Sequence, residues 1–503
     1  MPYGLERVRI QYKLQDKGVV MLGSSRSASR VGLIFCALSL AGCLQASHGD
    51  AEEPDIDGTA APLSKSEEGK DAALERRKQA FIKHWDAINN AREVIAELET
   101  SSGNRFHCIP AREDIATPPP PPPEAAAEQF ADTTQTELQL ENLRCPEGSV
   151  PTIAFDPRAF LEYNEPPASG FSFVPDKGPP PLAATANANG NGQDEDPSPP
   201  PPAPDANDRY YVAWNHFLLN FGTRGIINHW TVPEHSGFNE TSLEQTAVAA
   251  IDALGNYETV EVGFVAFPYG VAGNPKPDPL GKQVFFTYFT NSGHDGGPQE
   301  GARGYGWDCG AGGNDPGCGW VQWPGSTRVA GDLVVGSTPG SSNQKECYIE
   351  VQHYQNNWWV YACDQWIGYY PGSLFYPSAF FGGLANGAFY VLWYGEIRDA
   401  YAPDATPTDM GSGVHGGAYL NHQAGYGNVQ YMRNMKWISA EGNPATYVWI
   451  DSPSNFSPML VTDRSCYSGR GPAFDSGAWH NYFLMGGPGL GGKDPVNALP
   501  DCM

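Results

Sequence analysis

Two short stretches, ETVEVGFVAF and AFYVLWYGEI, each carry a run of β-forming residues through a glutamate with a glycine close by. The glutamates are Glu261 and Glu396, and the glycines are Gly263 and Gly395. Two carboxylates on one surface can divide a hydrolytic task. The ionised one takes a proton from water, and the protonated one polarises a carbonyl or donates to a leaving group. Such a pair titrates as a unit, so neither glutamate is given a fixed role. The same residues also fit two solvated strand glutamates with no chemistry at all.

The elements that position them follow from alternation. In the second stretch Phe389, Val391, Trp393 and Ile397 form a core side, while Tyr390, Leu392, Tyr394 and Glu396 face the other way. In the first, Val260, Val262, Phe264 and Ala266 are the core side, and Thr259, Glu261 and Gly263 lie opposite. Tyrosines beside a glutamate make the amphipathic surface that lines clefts, so Tyr390 and Tyr394 are candidate substrate contacts. Trp358 and Trp359 join them as rings able to grip a peptide or a sugar. The two glycines are expected to leave room for a ligand backbone.

The rest of the chain beyond residue 208 reads as β throughout. Runs such as QVFFTYFT, ECYIEVQHYQ, NWWVYAC and NVQYMRNMKWI are short, rich in β-formers and bounded by glycine, proline, asparagine or aspartate. The 58 glycines and 45 prolines in 503 residues also exceed the ordinary share of about 12%. The expectation is all-β: an antiparallel, jelly-roll-like sandwich over residues 208–503.

Three segments precede that domain. Residues 1–43 hold an address: from Met21, which could be the true start, a basic stretch leads into a short apolar run and the box Leu40-Ala41-Gly42-Cys43. This box resembles that of bacterial lipoproteins and would lipidate Cys43, placing the protein outside the cytoplasm, at the outer membrane, in the periplasm or secreted. Residues 44–177 form a front segment with an apolar stripe (Leu74, Phe81, Trp85, Ile88, Ile95, Leu98) that predicts a helix over 70–99. A lone amphipathic helix must dock on something. Residues 178–207 are a Pro/Gly/Asn-rich linker.

Composition excludes some functions. The net charge of −26 lacks the clustered cations that phosphate binding needs, which rules against nucleic acid. No C-x-x-C or H-E-x-x-H metal spacing and no G-x-S-x-G stands in the sequence. Eight cysteines follow the address: Cys108, Cys145, Cys309, Cys318, Cys347, Cys363, Cys466 and Cys502. An even number outside the cytoplasm favours disulfides, and pairing in sequence order would close short loops.

Several motifs occur in one order: VEVGFVAFP, VFFTYFTNSG, CGWVQ, NNWWVY with IGYYPGSLF, LWYGEI, TDMGSG, SCYSG and FLMGGPG. Together they resemble the neprosin family of glutamic peptidases over residues 209–503, and GNRFHCIPARED before a proline run (103–123) resembles that family's activation peptide. The resemblance implies a β-sandwich, catalysis by Glu261 and Glu396, no metal or other cofactor, and cleavage after proline at acidic pH. It also implies pairing of Cys309 with Cys318 and of Cys466 with Cys502, with Cys347 and Cys363 as an extra pair. Phe264 stands where the family usually has tryptophan and Tyr394 where it usually has glycine. The partners expected are proline-containing peptides and the chain's own front segment, acting as an inhibitor until the linker is cut at PSPPPPAPD. Two rivals remain: a glycoside hydrolase, which also uses two carboxylates, and a non-catalytic sandwich that binds carbohydrate or peptide.

Overall fold

Alternating apolar residues let a strand bury one face and present the other, and two sheets built this way close over a shared core. The computed structural model describes residues 64–99, 105–110, 120–122, 144–162 and 209–489, apart from 233–240, 252–256, 267–282, 292–302, 307–318, 335, 343, 377–382, 399–407, 443–444, 451–458 and 462–465. The N-terminal address with Cys43, the linker 178–207, and Cys309, Cys318 and Cys502 lie outside these residues.

The front segment contributes helix α1 (Ser64–Ala91), strands β1 (Ala96–Glu99), β2 (Arg105–Pro110) and β3 (Ser149–Ile153), and the short helix α2 (Pro157–Leu161). The three strands form one antiparallel sheet, and a Cys108–Cys145 disulfide ties β2 to the approach to β3. The helix expected over 70–99 therefore ends early. Asn89 donates to the Phe155 carbonyl at 2.9 Å and Arg92 to that of Ile153 at 3.4 Å, which pins the helix end. Leu98 then pairs with Phe106 in the sheet. Helical spacing continued past the true end because four residues of strand carry too little pattern to break it.

The back part holds β4 (Arg209–Asn220), β5 (Gly222–Asn228), β6 (Thr241–Ile251), β7 (Tyr257–Ala266) and β8 (Gln283–Thr290). Next come β9 (Arg303–Tyr305), β10 (Val321–Gln322), β11 (Leu333–Val334), β12 (Glu346–Tyr354), β13 (Asn357–Ala362) and β14 (Gln365–Pro371). Last are β15 (Ala388–Arg398), helix α3 (His422–Gly425), β16 (Gln430–Ala440), β17 (Thr446–Trp449), β18 (Leu460–Val461), β19 (Ser468–Phe474) and β20 (Asn481–Gly486). The first sheet runs β11-β8-β7-β6-β15-β4-β18, with β9 on β8. The second runs β10-β14-β13-β12-β5-β16-β20-β19, with β17 on β16. Among the described residues every strand pair is antiparallel, and the two sheets share a core that includes Val260, Val262 and Trp393 from one, and Ile349, Val351 and Phe483 from the other. This is the expected sandwich.

Polar groups also sit inside it. Glu244 is fully buried and accepts from Gln283 at 2.7 Å, and burial holds its carboxyl well above the usual carboxylate range. On the outer face of the second sheet, burial likewise raises Glu350, against the pull of Arg224 at 3.9 Å and the hydroxyls of Tyr348 and Tyr447. The Cys347–Cys363 disulfide links β12 to the end of β13. Cys466 is disulfide-bonded as well.

Candidate active site

Because Val260, Val262 and Phe264 of β7 fill the core, strand geometry turns Glu261 to the outer face of the first sheet. Val391, Trp393 and Ile397 do the same on β15, which turns Tyr394 and Glu396 to that outer face too. The two glutamates thus share one face of one sheet, with β6 between their strands. They are staggered. Glu261 pairs with Ala247, which pairs with Leu392, whereas Glu396 pairs with Leu243, four residues further along. Two strand spacings and that rise separate their Cα atoms by roughly 16 Å on a regular lattice.

Tyr394 stands between the rows and reaches one of them. Its hydroxyl donates to Oε2 of Glu261 at 2.8 Å, and Thr259 Oγ1 donates to Oε1 at 2.8 Å. Tyr211, on the neighbouring strand, packs its ring 6.2 Å from that of Tyr394. Glu396 accepts from Arg209 Nη1 at 2.9 Å, in an ion pair whose side chains are 13% and 2% exposed. Arg209 was not foreseen from the sequence. Its one signal is parity: it falls in step with Tyr211 and Ala213, the outward residues of β4.

The expectation of an open cleft is corrected. Glu261 is 0% and Glu396 1% exposed. A second apolar cluster lies on this face. Phe81 and Trp85 of α1, with Phe106, Ile153, Phe155 and Phe160, pack with Leu243, Val265, Val284, Phe286 and Tyr288. The rings are close: Trp85 to Phe155 is 4.4 Å and Phe81 to Phe160 is 5.6 Å between centroids. Leu243 and Val265 lie in the row of Glu396, and Tyr288 is the register partner of Glu261. The cluster that holds the front segment therefore includes residues from both rows.

The other sequence candidates divide. Tyr390 shares the outer face, at its far end from Glu396, and is half-buried. Trp358 instead lies in the core between the sheets, where its indole donates to the Leu384 carbonyl at 2.7 Å. Trp359 belongs to an aromatic cluster with Trp366 and Tyr369 on the outer face of the second sheet, away from the glutamates. Aromatic content marked these tryptophans, but adjacent residues on a strand point opposite ways. The glycines serve packing rather than a ligand. A Cβ on Gly263 would collide with the Glu244 carbonyl, and one on Gly395 would meet the sulfurs of Met410 and Met485 at 3.0 Å. Phe264 is also a core residue, stacked 4.7 Å from His229, so of the two departures only Tyr394 faces the site.

Two hydrogen-bonded carboxylates on one sheet face, with a tyrosine on one of them, are the kinds of group that acid–base hydrolysis uses. A model of the neprosin family matches residues 238–488. Among solved structures, the chain is similar to SCP-B, a member of the eqolisin family of peptidases seen with the tripeptide Ala-Ile-His: 6% identity and a TM-score of 0.27, over 56% of this chain and 99% of that one. It is also similar to scytalido-glutamic peptidase with a transition-state analog inhibitor, at 7% identity and a TM-score of 0.28 over the same shares.

Proposed function

The chain belongs to the neprosin family through residues 238–488, and from that premise we propose that it is a glutamic endopeptidase that cuts on the carboxyl side of proline. The observation that carries the proposal is the common face of Glu261 and Glu396, with Tyr394 between their rows hydrogen-bonded to Glu261.

In the reaction one carboxylate takes a proton from water as the water oxygen bonds to the scissile carbonyl carbon. The other, protonated, donates a hydrogen bond to the carbonyl oxygen. The tetrahedral intermediate then collapses: the C–N bond breaks, a carboxyl proton passes to the leaving nitrogen, and the pair is ready for another cycle. Acid favours this chemistry because one of the two must hold a proton.

The same reading makes the full chain a latent precursor. Phe81, Trp85 and the aromatic residues around them lie where a substrate would need to lie. Each glutamate is meanwhile held by groups of its own chain: Thr259 and Tyr394 on one, Arg209 on the other. Cutting within PSPPPPAPD at 197–205 separates the cover from the peptidase and frees the chain just ahead of Arg209. Export with a lipid on Cys43 completes the proposal; no described helix is long and apolar enough to cross a membrane.

Peptide mapping tests it. The full chain, incubated in acid, is expected to lose the front segment by intact mass and then to cut reporter peptides after proline. An active product of undiminished mass overturns latency. Cuts unrelated to proline overturn the specificity, and release of sugar from a glycan in place of peptide cleavage favours the glycosidase.

A further inference from the structure

The cover stops short of one end of the glutamate-bearing face. There Phe217 and Leu219 of β4 are 62% and 54% exposed, unusual for large apolar side chains. Phe217 packs 5.0 Å from the ring of Tyr390 and 6.2 Å from that of Phe389. The register slips between Ala388 and Tyr390, and this takes Phe389 out of the core side that plain alternation assigned to it. Tyr257 adds a third edge: its hydroxyl is pushed up to about 12 by burial and by the neighbouring Tyr390.

The patch is continuous with the candidate active site. Tyr390 pairs with Ala249 and so with Thr259, two residues along the strand from the row of Glu261. From Tyr390 to Glu261 is roughly 12 Å between Cα atoms by strand spacing and rise, the span of about four extended residues. Phe81 and Trp85 fill the opposite end of the same face, so one end is occupied by the chain's own apolar residues and the other is left for something else.

We propose that Phe217, Leu219, Phe389 and Tyr390 form a substrate subsite that holds an apolar or proline-bearing segment of the peptide about four residues from the scissile bond. This rests on the peptidase reading. A proline ring offers a flat apolar face without an N–H to desolvate, and extended proline-rich chain docks on aromatic rings at little entropic cost. A site of this kind favours long, proline-rich substrates over isolated proline bonds.

The test uses acid-processed protein, two reporter peptides and the exposed double variant F217S/L219S. One peptide carries a single proline in a short polar frame; in the other, four proline, phenylalanine or leucine residues extend one side, each side in turn. The variant is expected to lose about tenfold in kcat/KM on one extended peptide, the effect of one good aromatic contact, and nothing on the short one. Equal losses on both peptides, or none on either, overturn the subsite. If neither peptide is cut, the peptidase reading fails, and anisotropy with the labelled extended peptide still decides the subsite: weaker binding to the variant supports it, unchanged binding overturns it. A concentration-dependent dimer that the variant abolishes, with peptide binding intact, assigns the patch to a second copy instead.

Discussion

At Glu261 and Glu396 the chemistry is legible in the sequence as a period of two, since each has core residues on both sides. Their immediate partners are less so. Tyr394 lies two residues from Glu396, yet it donates to Glu261 on another strand. Arg209 follows a linker and carries no local pattern, yet it holds Glu396. Such contacts depend on register between distant strands, which alternation does not fix. Tyr394→Phe should therefore lower kcat by tenfold or more while costing about 1–3 kcal/mol of stability, the penalty of one unmet buried acceptor. Steady-state kinetics beside thermal unfolding check it, and an unchanged kcat would remove the hydroxyl from the mechanism. Arg209→Met leaves Glu396 buried without its guanidinium and should destabilise by about 3–5 kcal/mol, measured by urea unfolding.

Among the elements, the front segment is the part that the proposed latency requires to move. Its helix was visible from the stripe of Phe81 and Trp85, and its docking from the fact that such a stripe needs a partner. Its end was not visible, because Ile95 and Leu98 keep helical spacing into a strand. Trp85→Ala should weaken the cover by about 3–5 kcal/mol and give peptide cleavage without prior processing; continued latency would mean that the helix is a spacer. Acid should act on the same element. Desolvation lowers the His107 imidazole below its usual 6.5, outweighing Glu97 at 4.0 Å, while Arg92 and Arg105 lower it further. A folded value below the unfolded one means that the unfolded state takes up the proton first as pH falls. The stability His107 lends is whole above about pH 6.5 and is lost on the way down to its folded value. Hydrogen exchange should accordingly rise in β2 and β3 below that pH while β7 and β15 stay protected; simultaneous loss in all four would contradict a separable cover.

For the whole molecule, the sandwich carries titrating groups of the opposite sign. Glu244 and Glu350 keep their protons above the 4.5 of an unfolded glutamate, chiefly through burial. Their contribution is whole below about pH 4.5 and declines as pH climbs through the folded values. His353 and His422, both lowered by desolvation, work against this in acid. Glu244→Gln should thus raise the unfolding midpoint more at pH 7 than at pH 4, and an equal change at both would show that Glu244 is not held neutral. The all-β architecture itself was readable from composition and turn spacing. Which of the tryptophans turned into the core and which to an outer face was not, since that depends on how the two sheets stack.

The account depends most on the two glutamates acting as a pair. The direct measurement is cleavage of a proline-containing reporter peptide in acid by Glu261→Gln and by Glu396→Gln, each with its front segment removed and its fold verified. Cleavage by the unsubstituted protein and by neither variant is the predicted result; turnover that survives either substitution would contradict it.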